Sequence, residues 1–228
     1  MIFSTKPDRR EIIWGSVYLA LNTFLLPVVF TTVHALLGSP LSAAQLNFIF
    51  FCVNFLAIAV IFRKYLADSH RDSLNVPVAV LWYGLLAFLG NNLLSNFVSS
   101  FCSGMYPGFS NVNDNSFALM VQEEPMLMFI GACLLVPVAE EVLYRGLIFR
   151  SLYDYSPLIA YIVSICLFAA VHVTGYIGHY EPLHLMLCFV QYLPAGYCLA
   201  FAYHRGGTIA APIFMHILTN IAAVSAMR

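Results

Sequence analysis

Three charged residues lie close together inside an otherwise apolar stretch of the chain: Glu140, Glu141 and Arg145. In a membrane-spanning helix each would cost about 2.5 to 3.5 kcal/mol at the bilayer centre. Glu141 and Arg145 are four residues apart with the acid first, which is the favoured order for an ion pair on one helix face. Glu140 points about 100° away from Glu141. The spacing therefore predicts one carboxylate that is paired for structure and one that is free for chemistry.

Two further pairs of side chains repeat the four-residue spacing on later apolar stretches. Phe168 precedes His172, so the two rings should lie on one helix face. His216 precedes Asn220, and these two side chains can address a single point. Together with the free carboxylate, they supply the acceptors and donors that general acid–base chemistry and the stabilisation of a developing negative charge require.

Other polar residues near these stretches are weaker candidates. Tyr144 lies one turn after Glu140 and is in position to hydrogen-bond it, so we expect a supporting role. A second acidic pair, Glu123 and Glu124, precedes Pro125 at a predicted helix start, where acids suit the helix dipole. No arginine follows that pair at the four-residue spacing, and we interpret it as structural.

The composition indicates a polytopic membrane protein. Of the 228 residues, 61% are hydrophobic and 9% are charged, whereas about 25% are charged in an average soluble protein. The net charge of −1 gives no basis for nucleic-acid binding. The six cysteines have no CxxC spacing, so we expect lipid-facing or packed thiols and neither a disulfide framework nor a cysteine zinc site.

Seven apolar stretches are long enough, or nearly so, to cross a hydrocarbon core of about 30 Å. They cover residues 12–37, 46–62, 76–101, 126–149, 157–173, 184–203 and 208–226. We therefore predict an all-α, polytopic transmembrane bundle of about seven helices, which forms a single integral membrane domain over residues 1–228.

The positions of Lys and Arg predict the orientation of these helices. Outside the apolar stretches they occur at alternate connections: Lys6, Arg9, Arg10, Arg63, Lys64, Arg71, Arg150 and Arg205. The intervening loops 38–45, 102–125 and 174–183 contain none. The positive-inside rule then places the N-terminus inside and the C-terminus outside, with Arg228 as the one exception.

The polar pairs, taken in order, resemble the motifs of one protein family. Three motifs carry the resemblance: Glu140-Glu141-x-x-x-Arg145-Gly146, Phe168-x-x-x-His172 and His216-x-x-x-Asn220. Each lies on a hydrophobic helix, as in the CPBP family of intramembrane proteases. That family includes the type II CAAX prenyl endopeptidases and bacterial relatives linked to bacteriocin self-immunity. The resemblance covers about residues 125–228, the family-like catalytic core, whereas the first three stretches match only in being apolar.

The resemblance implies an intramembrane endopeptidase. In similar enzymes the first Glu and the second-motif His activate a water, and these correspond to Glu140 and His172. The third-motif His and Asn, here His216 and Asn220, would stabilise the oxyanion of the tetrahedral intermediate. Four neighbours would support these catalytic groups: Glu141, Arg145, Phe168 and Tyr144.

A zinc-dependent mechanism is the alternative within this family. Glu140, His172 and His216 also match a set of three zinc ligands with an open fourth position. However, the chain has no HExxH motif, and Asn220 is a poor zinc ligand but a good amide donor. We therefore favour water activation by Glu and His without a metal or other cofactor.

Two functions from other classes stay open. A catalytically silent member would bind a peptide or a partner membrane protein in an immunity or accessory role, and intramembrane acids and histidines also occur in ion-coupled transporters. The intact motifs argue against a catalytically silent protein, and the lack of inverted repeats argues weakly against a transporter. The short chain points to a multi-pass protein of a bacterial plasma membrane, with lipid and a leader-like or bacteriocin-like peptide as expected partners.

Two geometric questions also stay open. At 1.5 Å per residue, Glu140 lies about 21 Å from the outer start of its predicted helix, whereas His172 lies about 22 Å from the inner end of the next. If both helices stood upright, Glu140 and His172 would therefore differ in depth by more than about 10 Å. Three arrangements would bring them closer in depth: the fifth predicted helix begins in the cytosol, the fourth extends inward past Arg150, or one of the two is steeply tilted. The segment 102–125, unusually long for this chain, either caps the site or lies at the membrane interface.

Overall fold

The fold is all-α, as predicted. The computed structural model describes residues 3, 5–36, 38 and 40–227, so Leu37, the predicted end of the first stretch, and Arg228 lie outside it. Within the described residues the chain forms nine helices and no strand. They are α1 (Arg9–Leu36), α2 (Ala43–Ile61), α3 (Arg63–Asn75), α4 (Pro77–Met105), α5 (Val112–Glu123), α6 (Pro125–Tyr153), α7 (Pro157–Thr174), α8 (Pro182–Gly206) and α9 (Ala210–Ala226).

Six of these helices are long and apolar enough to cross a membrane: α1, α2, α4, α6, α7 and α8. They correspond to the first six predicted stretches, and the protein is a multi-pass membrane protein. Helix α9 corresponds to the seventh stretch and is apolar, but at 17 residues it is only about 26 Å long. A seventh crossing therefore stays a prediction.

The two short helices outside these spans, α3 and α5, lie at opposite ends of the bundle. Helix α3 begins next to α1, because the buried Glu11 carboxylate accepts the backbone N–H groups of Lys64 (3.1 Å) and Tyr65 (2.9 Å). The same carboxylate completes a capping box with Asp8 at the start of α1. One side chain thus satisfies the free N–H groups of two helix starts.

Salt bridges gather the predicted inside residues at the α3 end. Lys6 and Arg150 both contact Asp154, at 3.4 and 2.7 Å, and Lys64 lies 3.7 Å from Asp8. These contacts join the N-terminal segment, the start of α3 and the end of α6. Lys6, Lys64 and Arg150, which come from three predicted inside connections, therefore lie at one end of the folded bundle.

The length of α6 answers the question of depth. This helix continues past Arg150 and ends at Tyr153. The fourth predicted helix is therefore longer at its inner end than the sequence indicated. Glu140 is then about 20 Å from the inner end of α6, and His172 is about 22 Å from the start of α7 at the same end. The two residues lie at similar depth without a steep tilt.

The orientation can be tested by labelling on a cysteine-free background. We expect an impermeant thiol reagent to label His179→Cys in intact cells, since residue 179 is exposed at the lysine-free end. His70→Cys, which is exposed on α3, should react only after permeabilisation. Labelling of His70→Cys but not His179→Cys in intact cells would invert the predicted topology.

Candidate active site

Helix α6 is the most buried of the six spans and carries the first motif on an irregular backbone. Two segments widen into π-helical turns, Gly131–Leu135 and Val142–Phe149. Glu140 and Glu141 lie on the short α-helical piece between them. Single π-turns inside helices occur frequently at functional sites.

The first wide turn leaves a backbone carbonyl for a side chain to satisfy. In a π-turn each N–H bonds to the carbonyl five residues back, as that of Val136 does to Gly131. The carbonyl of Ala132 would pair with residue 137, which is a proline and has no N–H. The side-chain amide of Asn220 donates to this carbonyl instead, at 2.7 Å. The predicted catalytic Asn is thereby anchored to α6.

Arg145 connects three helices from a fully buried position. Its Nη1 donates to Oε1 of Glu141 at 3.1 Å, and neither side chain is exposed. Nη2 donates to the carbonyl of Gly196 in α8 at 3.0 Å. The guanidinium also lies 4.5 Å from the ring centroid of Phe168 in α7. The predicted ion pair is therefore present, and Phe168 contacts its cation.

His216 lies between the two carboxylates of the first motif. Its Nδ1 is 2.8 Å from Oε1 of Glu141, and because a carboxylate only accepts, Nδ1 carries a proton. Its Nε2 lies 3.9 Å from Oε2 of Glu140. Glu141 is thus more than the partner of Arg145: it also orients a predicted catalytic histidine, a contact that the sequence did not predict.

The burial of the two acids separates their roles. The side chain of Glu140 is 25% exposed, whereas that of Glu141 is fully buried. Among the described residues Oε2 of Glu140 has no hydrogen-bond partner. Oε2 of Glu141 also lacks a described partner, so the exposure of Glu140 and its place in the cavity wall are what make it the acid accessible to a substrate or a water.

His172 is held by the backbone of its own helix. Its Nδ1 lies 2.7 Å from the carbonyl of Phe168, which can only accept, so the proton of a neutral ring is on Nδ1. Nε2 is left as an acceptor. The expected proximity of the two rings is also present, with centroids 4.8 Å apart.

Tyr144 occupies a different position from the one expected. No hydrogen bond joins it to Glu140 in the part of the chain that the structure describes. Its buried ring packs edge-on against Phe168, at 5.6 Å between centroids, because the wide turn after Glu141 rotates the following residues. Its carbonyl accepts from the hydroxyl of Ser164 at 2.9 Å.

A cavity of about 840 Å³ brings the predicted catalytic residues together. Side chains from α6, α7 and α9 line it: Glu140, His172, His216 and Asn220. Helix α5 forms another wall, so part of the segment 102–125 lines the site. Its lining residues are Asn113, Asp114, Ser116, Phe117, Leu119, Met120 and Glu123.

Sequence reasoning missed the residue that stacks on His172 and the two residues that hold its hydroxyl. Tyr192 of α8 stacks on the imidazole, with ring centroids 4.1 Å apart and planes inclined by 24°. Its hydroxyl donates to Asp114 at 2.5 Å and accepts from the amide of Asn113 at 2.9 Å. No local spacing signals these contacts, because the residues lie on separate helices.

The side chains as placed do not form the zinc site considered from the sequence. Within the described residues no group of three or more His, Cys, Asp or Glu side chains is arranged to hold a metal ion. The six cysteines, all within the described residues, form no disulfide. We therefore derive no chemical step through a metal.

Comparison with known proteins connects this geometry to a family. The family described as "Type II CAAX prenyl endopeptidase Rce1-like" matches residues 122–222, which include all three motifs. The Bacillus subtilis (strain 168) protein named "Putative membrane peptidase YdiL" is 26% identical over 159 residues. The matched segment is the C-terminal part of the chain and less than half of its length, so the chain is similar to this family there. The aligned part is 69% of this chain but only 59% of the relative, less than two thirds of the relative's length. No solved structure matches the chain.

The buried pair predicts a large effect of Arg145→Ala on stability. The substitution strands Glu141 without a cation, and breaking a buried pair in this way costs about 3 to 5 kcal/mol. Thermal unfolding in detergent should show a clear drop in Tm.

Arg71→Ala is the matched control. Arg71 also pairs with an acid of its own helix, Asp68 at 3.9 Å, but its side chain is 78% exposed. Exposed pairs contribute little, so Tm should hardly change. Equal Tm values for Arg145→Ala and the wild type would contradict the structural role of the pair.

Proposed function

We propose that the protein is an intramembrane endopeptidase that hydrolyses peptide bonds with a water activated by Glu140 and His172. The observation that carries the proposal is the convergence of Glu140, His172, His216 and Asn220 on one cavity inside a membrane bundle. The named activity of the matched family and the name of the Bacillus relative support a protease. The glutamate-type mechanism rests on the chemistry of the residues.

Two acceptors are available to hold the attacking water. Glu140 lines the cavity with a side chain that is 25% exposed, and Nε2 of His172 is left as an acceptor because Nδ1 donates to a carbonyl. Glu140 takes one proton as the water oxygen adds to the peptide carbonyl carbon, while His172 accepts a hydrogen bond from the other. Glu140 then gives its proton to the leaving nitrogen as the C–N bond breaks, yielding a carboxylic acid, which keeps the second proton of the water, and an amine.

Asn220 and His216 supply donors for the oxyanion. The Asn220 amide has two N–H groups, and only one is needed for the carbonyl of Ala132. His216 donates through Nε2 when both of its nitrogens are protonated. With the imidazole of His216 in this cationic form, the two positive charges of His216 and Arg145 balance the two negative charges of Glu140 and Glu141.

The lining of the cavity favours an apolar peptide with neutral or basic residues. Most of its surface comes from apolar side chains, including Phe51, Phe117 and Val136. Its formally charged side chains are acids, Asp114, Glu123 and Glu140, and no Lys or Arg is among the described lining residues. A leader-like or bacteriocin-like peptide has this character, and we propose it as the substrate class.

The decisive variant is Glu140→Gln. It keeps the shape of the side chain but removes the base, so we expect the cleavage of apolar, lysine-containing peptides by purified protein to be lost with little change in Tm. Glu124→Gln is the control, since Glu124 accepts from Gln45 (2.9 Å) outside the cavity lining. Binding of the same peptides without cleavage by the wild type would instead favour a silent, peptide-binding protein.

The same assay separates the metal-free mechanism from the zinc alternative. Activity should survive dialysis against a strong chelator. Inactivation that added zinc reverses, together with stoichiometric zinc that Glu140, His172 and His216 variants fail to bind, would overturn the metal-free mechanism.

Asn220→Ala tests the oxyanion donor. Removing one such donor lowers kcat by about 10² to 10³ with little effect on KM. Some loss of stability is also expected, since the Ala132 carbonyl loses its partner. Asn92→Ala is the control, because that amide likewise donates to a backbone carbonyl, of Phe88 at 2.8 Å, but lies outside the cavity. Equal kcat values for the two variants would exclude the role of Asn220.

A further inference from the structure

The closest pair of described rings in the molecule is that of His172 and Tyr192. Their centroids are 4.1 Å apart and their planes are inclined by only 24°, which is a stacked arrangement. The imidazole is held at its other side by the hydrogen bond from Nδ1 to the carbonyl of Phe168. A hydrogen bond at one atom still permits the ring to tilt about that atom, whereas a stacked neighbour limits the tilt.

The hydroxyl of Tyr192 is itself tied to the first turn of α5. It donates to Asp114 at 2.5 Å and accepts from Asn113 at 2.9 Å. The residue before it, Gln191, accepts from the side chain of Asn111 at 2.8 Å, immediately before α5. Two successive residues of α8 thus attach to the helix that covers the cavity.

We propose that Tyr192 is a positioning residue that sets the plane of His172 and thereby the direction of its Nε2 toward the attacking water. This inference rests on the proposed function. The phenol face restrains the imidazole, whereas the hydroxyl bonds to Asp114 of α5 and does not touch the imidazole. The orientation of His172 therefore depends on the aromatic face of residue 192.

Paired substitutions of Tyr192 separate the face from the hydroxyl. Tyr192→Phe keeps the stacked ring and should keep most of kcat. Tyr192→Ala removes the ring, and because small misplacements of a reacting group are costly, kcat should fall about 10- to 100-fold with a smaller change in KM. Tyr197→Ala is the control on the same helix, since Tyr197 is half-exposed and lies outside the cavity lining.

Two further measurements distinguish positioning from general damage. In the His172→Ala background, Tyr192→Ala should produce no additional loss, because its effect passes through the missing imidazole. The NMR signals of His172, labelled in its ring, should shift in Tyr192→Ala and much less in Tyr192→Phe, since the ring current of the aromatic face is retained. The NMR measurement needs no activity.

The outcomes separate failure of the inference from failure of the proposed function. Cleavage by the wild type with equal kcat values for Tyr192→Ala and Tyr192→Phe, or an unchanged His172 signal in Tyr192→Ala, would overturn the positioning role alone. Absence of any Glu140-dependent cleavage by the wild type would overturn the proposed function and, with it, the catalytic meaning of the contact. A common loss in both Tyr192 variants would assign the effect to the hydroxyl and contradict the role of the ring face.

Discussion

Two fully buried charges, Glu141 and Arg145, meet in α6 where neither side chain has contact with solvent. A buried charge without a partner costs several kcal/mol, so each of these residues requires the other. Arg145 also donates to the Gly196 carbonyl and lies over the Phe168 ring. Glu141 also accepts a hydrogen bond from His216. Helices α6, α7, α8 and α9 are thus joined through one ion pair, and this pair orients one residue of the cavity wall, His216.

A second constraint comes from the backbone of the same helix. The wide turn at Gly131–Leu135, followed by Pro137, leaves the Ala132 carbonyl to a side chain of α9. In an apolar interior an unpaired carbonyl is costly, so Asn220 contributes to packing as well as to the site. The wide turn of α6 and the candidate oxyanion donor Asn220 therefore lie next to each other. The same residue satisfies the backbone and lines the cavity.

The site also combines an apolar lining with a supply of polar acceptors, as hydrolysis within a membrane bundle requires. Glu140 remains partly exposed beside a fully buried neighbour, and His172 keeps one nitrogen free. Helix α5 lines this arrangement, and Tyr192 connects it to His172. The ring of Tyr144, in contrast, turns to Phe168 and serves the packing of α6 on α7.

The sequence by itself determined the helical membrane class, the first six spans within a few residues, and the pairs Glu141–Arg145 and Phe168–His172. These follow from apolar length and from four-residue spacing, which act within one helix. Tertiary structure decided what lies between helices: the bond from Glu141 to His216, the anchoring of Asn220 at Ala132, and the stacking of Tyr192 on His172. It also placed Glu140 and His172 at one depth, because the end of α6 depends on packing at the inner surface. Local spacing fixes which side chains share a helix face, but only the packing of one helix against another decides which faces meet.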